Sequence, residues 1–589
     1  MSQASPEDLR FDFSYAPGAN GEGDGQEVQL PFRLLVLGEF MPNQSAEDYL
    51  QAKPVQVGLR NFDRILSAQN IRLELSMAEL CPSDVAMAWF GGAQSSIQLK
   101  LHSLQDFNPE MIAQREPTLA RIQSILVHGQ TLKRDQRDSK LINLSELNSI
   151  DRKLIGLTTE DMQISRDVLD FLLTDLAASL NELLNRIIHS PSLQKLEAAW
   201  RGLHLLTLTA ADHPSCQVCF LPAAMEWLRD DLERAPRLTE THLFDVLYAN
   251  EYGQFGGKPY GAVITDYCFE LNDSDLILLR QLAQLGSAAH APIIAQAAPS
   301  FFGVSEYGEL ANLASLKGVQ SGERFIKWRK LQSSPEAMYL VLTLPRLLMR
   351  SLYSVGEGGV NASIYEEDIG LAESPYLWGS AAYALGTCLL RSFQRFGICT
   401  DITGESGGEV CGLSHLHLKN TSDKLLPIEV LLSENKEAEL IGLGFTPVSV
   451  AKANDKVLFY AANSVYWGCL QHDPKDTMEN LGAQLPYLFV ILRIAHYLKM
   501  ICRDMIGSVA SVTDLEAQLQ RWLKRYVSDV ESPSLAVRSR RPLKKVSLVV
   551  RPDPNRPDWL SVDLAITPHL RYMDQDFSLN LNLNVNSQR

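Results

Sequence analysis

Several short patterns carry residue types that could do chemistry. Gly404-Glu-Ser-Gly-Gly408 matches G-x-S-x-G, the turn that presents a serine nucleophile between a buried strand and a helix. Ser406 would be that nucleophile. Ile398 to Ile402 makes only a weak strand, however, and Glu409-Val-Cys-Gly412 does not open a helix, so the context favours a plain glycine loop. His415-Leu-His417 sets two imidazoles on one side of an extended segment, but no third ligand cluster lies nearby to complete a metal site. Cys216-Gln-Val-Cys219 is the one C-x-x-C; it sits in an apolar run without a second pair and reads as core. Phe255-Gly-Gly-Lys-Pro-Tyr-Gly261 and Gly356-Glu-Gly-Gly359 both miss the spacing that turns backbone N–H groups onto phosphate. Glu366-Glu-Asp368 reads as a solvated acidic turn. The basic run Arg538-Ser-Arg-Arg-Pro-Leu-Lys-Lys545 lacks interleaved aromatics, so a protein contact or a solvated loop is favoured over nucleic acid. The expectation is a chain with no catalytic residue, no cofactor and no metal.

The totals point the same way. With 589 residues the chain should hold two to four domains with large cores. A formal charge of -16 argues against nucleic acid or an anionic membrane as partner and suits a cationic protein surface. No 18-residue run is free of charge and polarity, so no membrane span is expected. The N-terminus lacks a basic stretch followed by an apolar one, and nine cysteines, an odd number, follow no framework spacing. A reducing cytoplasm is the expected location.

The elements that must position these residues follow from hydrophobic period. Leu193, Leu196, Ala199, Trp200, Leu203 and Leu206 form one helical stripe, with Lys195, Glu197 and Arg201 outside it. Leu176 to Ile188 carries a similar stripe, and Ser190-Pro191 between them suits a helix restart, so an αα-hairpin is predicted. The run from Leu34 to Leu37 reads as a strand buried on both faces. Strands and helices alternate from Cys216 onward, predicting a largely parallel, helix-covered sheet. Both ends alternate cleanly. Leu9, Phe11, Phe13 and Tyr15 share one side of a short strand tethered by a Gly-rich break. Phe577, Leu579, Leu581, Leu583 and Val585 share one side of the last strand, with Ser or Asn between them. Such strands either fold back onto their own sheet or pair with another chain, and the pattern alone leaves both open. The fold class is α/β (α+β): mixed, helix-covered sheets, with terminal strands donated to neighbouring protomers if the second outcome holds. Composition divides the chain into 1–135, a small β-α-β-α unit, a polar linker at 136–163, and a larger part at 164–589.

Leu193-Gln-Lys-Leu-Glu-Ala-Ala-Trp-Arg-Gly-Leu-His204 closely resembles a signature of the large contractile-sheath subunit of bacterial type VI secretion systems. The resemblance continues through Asn250-Glu-Tyr-Gly253, Leu344-Pro-Arg346, Glu366-Glu-Asp368, Tyr376-Leu-Trp-Gly379, Ala483-Gln-Leu-Pro-Tyr487 and Ile494-Ala-His-Tyr-Leu-Lys499. Residues 1–135 are similar to the small sheath subunit through Val28-Gln-Leu-Pro-Phe32, Asn61-Phe-Asp63 and Leu104-Gln-Asp-Phe-Asn-Pro109. The chain therefore looks like a fusion of two subunits that are usually separate. The resemblance implies a structural protomer of a cytoplasmic contractile sheath. Its terminal strands would join neighbouring sheets, giving a helical homopolymer around an inner tube protein that contracts to propel that tube. Baseplate and distal-end cap proteins are implied as further partners. The linker is shorter than the family's usual extension, which carries the helix recognised by a recycling AAA+ ATPase, and this departure sets that recognition in question. Two other readings remain beside it: an α/β hydrolase or transferase using the Ser406 loop, and a non-contractile scaffold of the same fold.

Overall fold

In the computed structural model the apolar run from Leu34 to Leu37 is fully buried at the middle of a seven-stranded sheet. The structure describes residues 11, 13–15, 27–80, 89–90, 96–135, 141–143, 151, 154, 157, 163–254, 256–353, 365–368, 370, 376–413, 416–417, 424–425, 427–451, 456–466, 484–505, 512–528, 530, 541–553, 556–568 and 579–586. Residues 317, 416–417, 424–425, 553, 556–559 and 579–586 are described by backbone alone. The chain opens with β1 (Phe32–Gly38), β2 (Val55–Val57), β3 (Ile71–Ser76), β4 (Ser96–Leu101) and helix α1 (Pro117–Asp135). Two long helices, α2 (Arg166–Ile188) and α3 (Pro191–Ala210), lead to β5 (Cys216–Pro222) and α4 (Met225–Arg234). Then come β6 (Ala262–Phe269), α5 (Asp273–Ala289), β7 (Ile293–Ala297), β8 (Leu340–Leu344), α6 (Ala381–Phe396) and β9 (Phe445–Pro447). Helices α7 (Leu485–Met505) and α8 (Val512–Lys524) precede the last three strands, β10 (Leu543–Asp553), β11 (Arg556–Pro568) and β12 (Leu579–Asn586).

The large sheet runs β9-β8-β7-β6-β1-β5-β2, parallel throughout except for β2 at one edge. Successive residues of β1 serve opposite cores: Leu34 and Val36 join α3, α6 and α7 on one face, Leu35 and Leu37 join α4 and α5 on the other. That explains its unbroken apolar run, since a parallel strand covered by helices on both sides has no face for polar residues.

This placement differs from the expected β-α-β-α unit at 1–135. β1 and β2 lie in the sheet of the larger part, while β3 and β4 pair as a separate hairpin that shares its core with α1 and α2. The physical reason is cover. A strand apolar on both faces needs two helical layers, and α3, α4, α5 and α6 supply them.

The predicted αα-hairpin forms as α2 and α3, with Pro191 in the first turn of α3. Glu197 departs from the reading that left it outside the stripe, for it is 1 % exposed. Ile428 makes an isolated antiparallel bridge to Leu347. At the C-terminal end β10, β11 and β12 form an antiparallel sheet. Leu548, Val550, Val562, Leu564 and Ile566 turn one side of it onto the core that includes Leu515, Leu519 and Trp522 of α8.

Candidate assembly interface

The two terminal segments, rather than any reactive side chain, have the most elaborate surroundings. β12 lies on its own β11, with Leu579, Leu581, Leu583 and Val585 at the register positions of Ile566, Leu564, Val562 and Leu560. The alternation read from sequence thus falls in phase with the buried ladder of β11. Phe577 lies outside the described residues. The other border of this sheet is sealed by side chains: Gln520 of α8 donates to the Leu548 carbonyl at 3.0 Å, and Glu516 accepts from the Val550 N–H at 3.2 Å. Edge groups answered this way are closed to a further strand.

At the other end Phe13 and Tyr15 are buried, and Phe11 packs against the same core. Expected to reach a neighbouring protomer, these three residues are seated within their own chain, while Leu9 lies outside the described residues. Tyr497 of α7 donates to the Phe13 carbonyl at 2.6 Å and accepts from the Leu30 N–H at 2.9 Å. Trp522 donates its indole N–H to the Ser14 carbonyl at 2.8 Å, and Tyr526 both accepts from the Ser14 N–H and donates to its carbonyl. Tyr15 makes a two-bond antiparallel bridge to Val28. The Phe11 N–H reaches the Phe396 carbonyl at 2.7 Å. Gly397 permits that approach twice over: it ends α6 at φ 72°, and a Cβ there would stand 2.3 Å from the Phe11 oxygen.

Helix α7 carries a row of donors that reach backbone carbonyls, and Arg503 in that row also pairs with its neighbour Asp504 at 2.9 Å. Arg493 donates to the Leu30 and Pro31 carbonyls, just before β1. His496 donates Nε2–H to the His290 carbonyl at 3.0 Å and Lys499 its ammonium to that of Ala288 at 2.8 Å. Tyr252 takes the Ala289 carbonyl at 2.9 Å. The unsatisfied C-terminal end of α5 is thereby capped, with a cation where the helix dipole favours one. Arg503 completes the row on the carbonyls of Gln254 and Gly257. Burial pushes the Lys499 ammonium down to about 7 and His496 down to about 3, and Tyr248 and Tyr252 hold Lys499 with both ring centroids 4.8 Å away.

A second buried network ties the α2–α3 hairpin to the acidic triplet. Arg350 Nη1 lies 2.8 Å from Glu367 and its Nε 3.3 Å from Glu197, which also accepts from Arg201 at 2.7 Å. His189 Nε2 stands 3.0 Å from Glu367. Burial would raise the Glu367 carboxyl, but the His189 hydrogen bond and the Arg350 charge outweigh it and leave it below the ordinary range. The solvated turn expected at Glu366-Glu-Asp368 is therefore corrected for Glu367, whose side chain is wholly enclosed. Asn185 fastens the same segment, joined to Asp368 through its backbone at 2.8 and 3.0 Å and to the Tyr365 hydroxyl at 2.9 Å.

The remaining chemical candidates come apart. Ser406 sits inside a one-turn helix from Gly404 to Gly407 and donates to Asp401 at 3.1 Å, not on a strand-to-helix elbow. Cys216 and Cys219 are buried, without a disulfide, in opposite cores of the large sheet, because an offset of three flips the face of a strand. His415 and the His417 side chain lie outside the described residues. Helix α7 is long and apolar enough to cross a membrane, but 83 % of its apolar window is buried inside the protein.

Sequence comparison identifies what these parts are. Residues 170–466 match the family model described as VipB, EvpB/VC_A0108 tail sheath N-terminal domain, and residues 475–585 the tail sheath gpW/gp25-like domain of the same group. Residues 6–143 match the model described as type VI secretion system, VipA, VC_A0107 or Hcp2. The class is that of tail-sheath proteins. More particularly, the chain belongs to the type VI secretion system sheath family. It is 32 % identical over 515 residues to the type VI secretion system sheath protein TssC1 of Pseudomonas aeruginosa, which covers 86 % of this chain and 98 % of the relative. Two solved structures are also similar. One is the anti-feeding prophage baseplate (10 % identity, 60 % of this chain and 70 % of that one, TM-score 0.32). The other is the sheath tail protein Lin1278 from Listeria innocua (9 % identity, 59 % and 60 %, TM-score 0.28). At those scores neither carries an argument about fold.

Proposed function

We propose that this chain is a fused sheath protomer with a purely structural role. Residues 1–135 correspond to the small part and 164–589 to the large part, joined through 136–163. The protomers polymerise helically around an inner tube in the cytoplasm, and contraction of the polymer propels that tube in type VI secretion. The observation that carries this reading is the position of β1. A strand from the small-subunit-like region is hydrogen-bonded on both sides by strands of the large one, so the two parts fold as one rigid body.

Linkage between protomers is assigned to the terminal strands: Leu9, Phe11, Phe13 and Tyr15 at one end, Phe577, Leu579, Leu581, Leu583 and Val585 at the other. β12 suits this role because its outer edge is open in the strand order and its polar and apolar residues alternate throughout. The N-terminal strand suits it less directly, since Phe13 and Tyr15 are already housed. Baseplate and end-cap proteins would terminate the polymer. Nothing in the helical row of α7 or in the Ser406 turn calls for a catalytic step. Electron microscopy of the purified protein tests the reading. Tubes, rings or stacks are expected, and only monodisperse single particles under every condition would defeat it.

A further inference from the structure

The side chains of Arg541 and Lys545, in the basic run singled out in the sequence, serve none of the networks above. Residues 538–589 hold nine Lys or Arg and five Asp or Glu, a net +4 in a chain of net -16. Along β10 the side chains alternate between the core, Leu548 and Val550, and an outward face made by Lys545, Ser547, Val549 and Arg551. Arg541 and Lys545 are exposed and form no ion pair within the described residues. Arg551, 69 % exposed, has only a loose partner in Asp563 at 3.7 Å.

Across the central sheet the balance reverses. Residues 225–251 hold seven acidic and three basic residues, a net -4. Glu226 and Glu233 stand two turns apart on α4, and Glu240 and Asp245 follow; all four are exposed and without an ion pair among the described residues. α4 is fixed through Leu228 and Leu232 to the core on one face of the sheet. β10 and β11 are fixed through Leu548, Val550, Val562 and Leu564 to the core on the other. Packing therefore holds the two charges on opposite sides of one rigid body.

We propose that the outward β10–β11 face, with Lys545 on it and Arg541 just ahead of β10, docks onto the α4 layer, centred on Glu226 and Glu233, of a second copy of this chain. The proposal rests on the sheath reading and names the two faces that meet. Unlike patches on opposite sides of a protomer make a head-to-tail contact, which propagates into rings or open helices instead of stopping at a dimer. Exposed pairs contribute little each, so the charges set orientation and encounter rate while the terminal strands supply affinity.

The test uses the full-length chain, with polymer measured by sedimentation and electron microscopy between about 0.1 and 1 M salt, where the screening length falls from about 10 to 3 Å. Polymer formation should weaken as salt rises. Arg541→Glu with Lys545→Glu, or Glu226→Lys with Glu233→Lys, should each lower polymer yield at low salt about tenfold. Combining the four should restore it, and Arg541→Ala with Lys545→Ala should fall between. Circular dichroism of the variants should match the parent, all four sites being exposed. Polymers indifferent to salt and to both reversals, or a combination no better than its halves, would overturn the charge docking and leave the sheath reading standing. A parent chain that forms no polymer in any salt would overturn both.

Discussion

The indole N–H of Trp200 is donated to the backbone carbonyl of Phe40 at 3.2 Å, although the two residues stand 160 positions apart. The same indole meets the rings of Phe40, Phe62 and Phe220 edge to face, at centroid distances of 5.3 to 5.9 Å. Two of those rings belong to the small-subunit-like region. The most recognisable residue of the large part is thus the place where the small part is held.

Trp200→Ala should therefore cost about 3–5 kcal/mol, as truncation of a fully buried aromatic does. Chemical denaturation monitored by circular dichroism would measure it. A variant of unchanged stability that merely failed to polymerise would instead make Trp200 an interface residue.

Arg350 is shared by the enclosed carboxylates of Glu197 and Glu367. Arg350→Met should cost about 3–5 kcal/mol, because it leaves the enclosed Glu197 with Arg201 alone and the enclosed Glu367 with His189 alone. Adding Glu197→Gln and Glu367→Gln should recover part of the loss. If the triple variant is no more stable than the single one, the network is not electrostatic in origin.

Lys499 gives a pH prediction with a definite sign. Its folded pKa, about 7, lies below the ordinary 10.5, so between those values the unfolded chain binds more protons and stability rises with pH. The advantage of the parent over Lys499→Met should grow by at most about 1.4 kcal/mol per pH unit from pH 7 upward. A constant difference between pH 7 and 9 would show that the ammonium is not buried as described.

Removal of residues 577–589 should leave a folded monomer that no longer polymerises. The core of the β10–β11 hairpin is anchored by α8 independently of β12, so far-ultraviolet circular dichroism should lose only a strand's worth of signal. Tubes that persist without β12 would remove the terminal strand from the linkage.

Much of this was legible because hydrophobic period is local. The α3 stripe, the doubly buried β1 and the alternation of β12 each follow from neighbours in sequence, and β12 takes the register its pattern asks for. What escaped was long-range. Glu197 and Glu367 look like surface acids until Arg350 is brought between them. The row Arg493, His496, Lys499 and Arg503 looks like the polar stripe of an amphipathic helix. Its carbonyl partners lie up to 463 positions away, and backbone acceptors leave no mark in a sequence. Phe13 and Tyr15 read as one side of a short half-buried strand whose cover the sequence left open, because Tyr497, Trp522 and Tyr526 could not be placed beside them.

The position of β1 also sets a timetable. Its neighbour β6 is complete only about 230 residues after β1 itself. At about 5–20 residues per second, synthesis leaves roughly ten to fifty seconds in which one of the most apolar strands of the chain has no native partner on that side. During that interval Leu34 through Leu37 present an unpaired apolar edge to any other strand they meet.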